Sequence, residues 1–282
     1  MSIKSTIRYF VKSKYKHLIY SEELKHSYEG LSVTGGMLKN KVVVIVGATG
    51  DIGKAITKRF LLEGCKIIIL ARSEDKAKSL MKKANEQFPD GVIAYHIVDF
   101  EDADSIKTVS EKLSEYEFDY YINCVGIFNS YDRNRIFRSI SEEQFTKSWI
   151  INYENLMLMT EIVAKQMRER FNENQRIINI GSICATERPY QSTPYGMSKS
   201  AVHHMTRYLN NKYSELSILC IEPGSVATVM GDRKIGSDIA NANNLLGRVS
   251  LPEEIAAVSA FLCSDVGRFI DPIISASACE TF

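Results

Sequence analysis

Apolar and polar positions change rhythm along this chain. From Lys41 onward, short runs rich in β-branched residues recur: KVVVIVG (41–47), KIIILA (66–71), VIAYHIVD (92–99), DYYINCVG (119–126), RIINIGS (176–182) and SILCIEPG (217–224). Each has strand length, and each is apolar almost throughout rather than alternating, the pattern of a strand buried on both faces. Between them lie longer segments with helical spacing, such as 139–170, which Ser141 is placed to cap. Strand, helix, strand, repeated, predicts an α/β fold, a doubly wound parallel sheet with helices on both sides. The first 38 residues break the rhythm. Ile3, Ile7, Phe10, Val11 and Leu18 fall near helical spacing with lysines between them, which predicts a short basic amphipathic helix. The chain therefore divides into an N-terminal helical extension, 1–38, and a single domain, 39–282.

Composition narrows the partners. A chain of 282 residues, 45% hydrophobic and 24% charged, suits one large α/β domain. A net charge of +1 gives no reason to expect nucleic acid. Charge is uneven, however: residues 1–20 hold Lys4, Arg8, Lys12, Lys14 and Lys16 and no acid. Such an arm packs on the core or a sister subunit, or meets an anionic partner or membrane face; a cleaved transit peptide is the remaining alternative. The six cysteines lie far apart with no C-x-x-C pair. That spacing suggests neither a zinc site nor a disulfide framework, and fits buried thiols in a reducing cytoplasm. No apolar run approaches the roughly 18 residues of a transmembrane span.

Candidate chemistry begins at VVVIVGATGDIGKAITKRFLLEG. Gly47, Gly50 and Gly53 stand where a strand ends and a helix begins, so the free N–H groups of the first helical turn can receive a phosphate. An acid in that loop, Asp51, is the odd letter. From about 38 to about 268 the chain resembles the short-chain dehydrogenase/reductase family, which implies a Rossmann-type fold. Its G-x-x-G-x-x-G spacing is that of the sugar-nucleotide epimerase branch, where the residue after the middle glycine carries a side chain. Asp51 is thus expected to point away from the diphosphate, favoured by the helix dipole and tolerated rather than used. The resemblance assigns the cofactor site to Gly47, Thr49, Gly50, Asp51, Ile52 and Gly53, with Asp99 beside the adenine and Asn123 to Gly126 in place of the family's N-N-A-G. Cys124 and Val125 depart from that segment. Pro223 and Gly224 end the sixth run and Thr228 follows it, and the resemblance places Thr228 near the nicotinamide carboxamide. Arg72, just past the second strand, resembles the basic residue of NADP-binding members, so NADP(H) is expected over NAD(H).

The reacting groups are read from TPYGMSK. Tyr195 and Lys199 are four apart, on one face of a helix, where an ammonium favours the phenolate of a neighbour with an ordinary pKa near 10. The pattern recurs at Tyr208 and Lys212 in a chain of 14 tyrosines. What separates the pairs is Ser182, thirteen residues before Tyr195 at the end of a strand-like run. Thirteen helical steps rotate a side chain by roughly 220°, so Tyr208 is expected to face elsewhere. The resemblance makes Tyr195 the proton donor or acceptor and Ser182 the group that polarises the substrate oxygen. It gives Lys199 the tyrosine pKa and the nicotinamide ribose, and Asn152 a relay water. The implied function is interconversion of a carbonyl and a secondary alcohol; a non-catalytic dinucleotide sensor or scaffold is the alternative, against which the complete set argues. Arg133, Arg135 and Arg138 suggest either an anionic grip, for a keto-sugar or 3-oxoacyl thioester, or a solvated face. The polar stretch after Pro223 disfavours a bulky steroid. Relatives of this family imply a homodimer or homotetramer, although Pro272 and the ending SASACETF depart from the usual tail. No metal site is expected.

Overall fold

The computed structural model describes residues 31–128, 141–170, 172–186, 193–230, 248–267 and 270–277. The predicted amphipathic helix before residue 31, the arginines at 133–138 and the polar stretch at 231–244 lie outside them. Seven parallel strands form one sheet in the order β3-β2-β1-β4-β5-β6-β7. They are β1 (Val42–Val46), β2 (Lys66–Ala71), β3 (Val92–Ile97), β4 (Tyr120–Asn123), β5 (Arg176–Ile180), β6 (Ser217–Pro223) and β7 (Ile273–Ala276). Side chains alternate between two cores. Val43 and Ile45 pack with α1 (Asp51–Leu62), while Val44 and Val46 face the other side.

The remaining helices are α2 (Glu74–Gln87), α3 (Ala103–Leu113), α4 (Glu142–Trp149), α5 (Asn155–Glu169), α6 (Thr193–Lys212) and α7 (Pro252–Cys263). Ser141 caps α4 in a reciprocal box with Gln144. The sequence predicts one helix through 139–170. The structure instead inserts a π-helical turn, Ile150–Glu154, between α4 and α5, and Asn152 sits inside it. Pro272 directly precedes β7, the edge strand, where a missing donor does little harm; its carbonyl accepts from Cys220 N at 2.7 Å.

Residues 31–38, which the sequence reading groups with the extension, are packed on the domain. Leu38 is fully buried. The buried Glu63 carboxylate at the end of α1 accepts from Ser32 Oγ at 2.5 Å, Thr34 Oγ1 at 2.6 Å and Val33 N at 2.7 Å, and Arg59 bonds Leu31 O. Burial alone pushes the Glu63 pKa up, but those hydrogen bonds hold it below the usual carboxylate value.

Candidate active site

Because all strands are parallel, their C-terminal ends share one edge, and the order reverses between β1 and β4. That is where α/β sheets open a crevice. At the end of β1 the chain turns through Gly47 at φ +72°, a conformation open to glycine. Gly53 is required for a different reason: a Cβ there would lie 2.3 Å from Gly47 O, so α1 could not pack against the turn. Gly50 begins α1 with no side-chain cap, leaving the helix N-terminus suited to a phosphate. Thr49 and Ile52 are half-buried, and Ile52 packs on the core. The Asp51 carboxylate accepts from Val229 N at 2.7 Å, a contact that the sequence gives no means to find.

At the far end of this crevice Arg72 is exposed, with Nη1 3.6 Å from Glu101 Oε1; Lys147 Nζ lies 2.7 Å from the same oxygen. Sequence reading missed both Glu101 and Lys147. Asp99 turns inward to its own loop, Oδ1 accepting from Glu101 N at 2.9 Å. Asn123 is fully buried; Oδ1 accepts from Val125 N at 3.1 Å, and Nδ2 has no partner among the described residues. On the other side, Gly224 follows Pro223 so close to Ser277 that a Cβ would meet its Cα at 3.0 Å. Thr228, half-buried, donates its N–H to Val226 O at 2.8 Å. The parts therefore fit a dinucleotide: a glycine turn, an uncapped helix start, and a basic pair at one end.

The middle of the crevice holds the reacting candidates. Ser182 leaves β5, Tyr195 and Lys199 lie on α6, and Asn152 comes from the π turn. The Tyr195 hydroxyl hydrogen-bonds the Ser182 side chain, and its ring meets Phe128 edge-on with centroids 5.1 Å apart. Lys199 Nζ lies 5.8 Å from the Tyr195 ring centroid and donates to Ile180 O at 2.9 Å. A Cβ on Gly126 would approach that Nζ at 3.2 Å and Asn152 Oδ1 at 3.6 Å, so Gly126 is the floor on which the two side chains meet. Asn152 is fully buried. It clamps Ile127, accepting from its N–H at 2.8 Å and donating to its carbonyl at 3.0 Å, and it donates to Ser198 Oγ at 3.1 Å. Those bonds account for the π turn: the backbone widens to aim one side chain at the strand-end loop.

Electrostatics depart from the simple expectation that Lys199 lowers the Tyr195 pKa. Part of the tyrosine surface reaches solvent, yet its dense surroundings push the phenol well up, with the Ser182 hydrogen bond opposing. Burial also pushes Lys199 down, to about 8. Desolvation is the main cause for both groups, and the ammonium donates to the Ile180 carbonyl. Cys124 and Cys220, close to Lys199, are pushed up by burial to about 12 and are poor nucleophiles. No group of metal-ligating side chains occurs among the described residues, and none of their helices is long and apolar enough to cross a membrane.

Residues 41–237 match the family model described as short chain dehydrogenase. A 7alpha-hydroxysteroid dehydrogenase of Bacteroides fragilis is 26% identical, over 82% of this chain and 90% of its own. A 3-oxoacyl-(acyl-carrier-protein) reductase of Thermotoga maritima is 29% identical, over 83% of this chain and 94% of its own. The structure of L-sorbose reductase from Gluconobacter frateurii, complexed with NADPH and L-sorbose, superimposes with a TM-score of 0.76 at 22% identity, covering 89% of this chain and 100% of that one.

Proposed function

We propose, from the premise that this chain belongs to the short-chain dehydrogenase family of oxidoreductases, that it is an NADP(H)-dependent enzyme interconverting a carbonyl and a secondary alcohol on a small polar or anionic substrate. One observation carries the proposal: Ser182, Tyr195, Lys199 and Asn152, spread over 48 positions of sequence, line one short stretch of the crevice. When bound, the reduced nicotinamide supplies a hydride to the carbonyl carbon. Tyr195 then gives its proton to the carbonyl oxygen, which Ser182 polarises by a hydrogen bond. Lys199, charged at neutral pH with a pKa of about 8, stabilises the phenolate left behind and holds the ribose. Asn152, through Ile127, fixes the loop that closes this side and serves the proton's return path.

Arg72 and Lys147 are the groups we assign to a 2′-phosphate, with Glu101 holding them in place until it arrives. The sorbose reductase structure was solved with NADPH, which supports the same choice. The relatives act, by name, on steroids and acyl thioesters, so likeness supports the reaction and leaves the substrate to the loops. We assign a homodimer or homotetramer working in the cytoplasm, with 39–282 as the catalytic domain and the basic arm as an appendage to it.

The test is NADPH oxidation screened against keto-sugars, 3-oxoacyl thioesters and simple ketones, with dissociation constants for NADPH and NADH in wild type and Arg72→Ala. Selective loss of NADPH affinity in the variant supports the cofactor assignment, and equal loss for both cofactors removes it. Tight NADPH binding with turnover of nothing in the panel would favour a sensor.

A further inference from the structure

Asp51 places a carboxylate in a loop suited to a diphosphate, and the fold gives that carboxylate a partner 178 positions away. Its Oδ2 accepts from Val229 N at 2.7 Å. Val229 directly follows Thr228 in the segment leaving β6, and that segment is braced from behind. Val226 pairs with Ser250, Ala227 N donates to Ser250 O at 2.9 Å, and Ser250 N donates to Ser225 O at 2.9 Å. In the sheet order, β1 and β6 are separated by β4 and β5. The glycine loop after β1 and the Thr228 segment after β6 are therefore the two walls of the crevice, and the Asp51 bond joins them across it.

We propose that Asp51 is a positioning residue of the cofactor site. Its carboxylate holds the Thr228 segment in register over the nicotinamide half of the dinucleotide, and by turning to Val229 it carries its charge off the diphosphate. This deepens the dinucleotide reading above and rests on it. An ionised acceptor forms one of the stronger hydrogen bonds available to a backbone N–H. Val229 itself is 73% exposed, so water competes for the N–H and the effect is a moderate factor rather than an all-or-none lock.

The experiment compares two ligands that differ in the nicotinamide ring: NADPH, and 2′-phospho-ADP-ribose, which keeps the diphosphate and both riboses but lacks the ring. Dissociation constants are measured for wild type, Asp51→Ala, Asp51→Asn and Val229→Pro. Asp51→Ala is expected to weaken NADPH by about 5- to 10-fold while the fragment binds unchanged or slightly tighter. Asp51→Asn keeps an acceptor for the N–H and should restore NADPH binding to the wild-type value or better. Val229→Pro removes the donor instead, leaves Asp51 in place, and should weaken NADPH as the alanine variant does. An equal change for both ligands would mean that Asp51 acts on the phosphates alone, and an unchanged NADPH affinity in Val229→Pro would mean that the bond positions nothing; either result overturns the assignment. If wild type binds the fragment and NADPH equally, the clasp fails while the phosphate site stands. If wild type binds neither, the dinucleotide reading falls first and takes the clasp with it.

Discussion

Helix α6 carries the same two-residue pattern twice, and the two copies have opposite physics. In the first, Lys199 Nζ lies 5.8 Å from the Tyr195 ring centroid; in the second, Lys212 Nζ lies 5.5 Å from that of Tyr208. Within each pair the geometry is nearly identical. The surroundings are not. Lys199 is 2% exposed and faces Gly126, Ile180 O and three thiols, whereas Tyr208 is 48% exposed and Lys212 reaches Glu161 Oε1 at 2.5 Å. Burial pushes the Lys199 pKa down to about 8; the hydrogen bond to Glu161 pushes that of Lys212 up. The Tyr-x-x-x-Lys pattern by itself therefore does not set the chemistry of a pair; where the helix lies on the sheet does.

The largest expected difference is in turnover. Tyr195→Phe removes the oxygen to which we assign proton exchange with the substrate and keeps the ring against Phe128. On a substrate found by the screen, turnover should fall by a factor on the order of 10² to 10⁴ with NADPH binding retained. Tyr208→Phe makes the same chemical change at the solvent-facing copy and should leave turnover within about twofold. Steady-state rates for both variants, with cofactor binding followed by fluorescence, decide it. Equal activity in the two would erase the distinction between the pairs.

The next difference is in stability, and the inner lysine, to which we assign a part in turnover, is the one that costs the fold. A lysine lowered from 10.5 to about 8 by burial carries a penalty on the order of 3 kcal/mol at neutral pH. The penalty is full below about 8, because the ammonium is charged in both folded and unfolded chains but is desolvated only in the folded one. Between about 8 and 10.5 the unfolded chain binds the extra proton, so this site makes the fold more stable as pH rises. Lys199→Met should therefore raise the free energy of unfolding at pH 7 by about 1–3 kcal/mol after the lost bond to Ile180 O is counted, and abolish this rise with pH. Denaturant melts at pH 7 and pH 9.5 check both points. A variant less stable than wild type at pH 7 would show that the ammonium is stabilised where it lies.

How much of this could be read from residues alone depends on distance along the chain. The six β-branched runs announced β1 to β6, since an interior strand buried on both faces needs little beyond its own composition, and β3, at the sheet edge with Ile93 and Ile97 exposed, carried the same run. The different placement of the two tyrosines was legible through Ser182, whose spacing from Tyr195 spans one strand end and one helix start. The contacts that finish the site were not legible. Asp51 meets Val229, and Glu63 meets Ser32 to Thr34, only because the strand order brings distant loops together; Glu101 joins Arg72 to Lys147 for the same reason. The π turn is hidden too, since 139–170 reads as one amphipathic helix and only the bonds from Asn152 to Ile127 widen it. Nor does spacing report desolvation. The lysine was expected to lower its tyrosine, but desolvation is the main influence on both groups and pushes the phenol up.

The smallest expected effect belongs to the outer pair. Glu161 holds Lys212, and its carboxyl lies below its usual pKa chiefly because of that hydrogen bond. The pair is partly solvated, so its contribution is screened and offset by the entropy of fixing two long side chains. A depressed carboxyl stabilises the fold above its unfolded pKa and loses that contribution as pH falls through the folded value, so the contribution is present at pH 7 and gone in strong acid. Lys212, raised by the same bond, keeps its share until alkaline pH. Glu161→Gln should shift the melting midpoint at pH 7 by no more than about 2 °C, with no change below the pH at which Glu161 protonates and none in turnover. Calorimetric scans of both proteins from acid to neutral pH measure this. A loss as large as the gain expected from Lys199→Met would mean that the outer pair is no less coupled to the fold than the inner one, and that exposure is not what separates the two copies of the pattern.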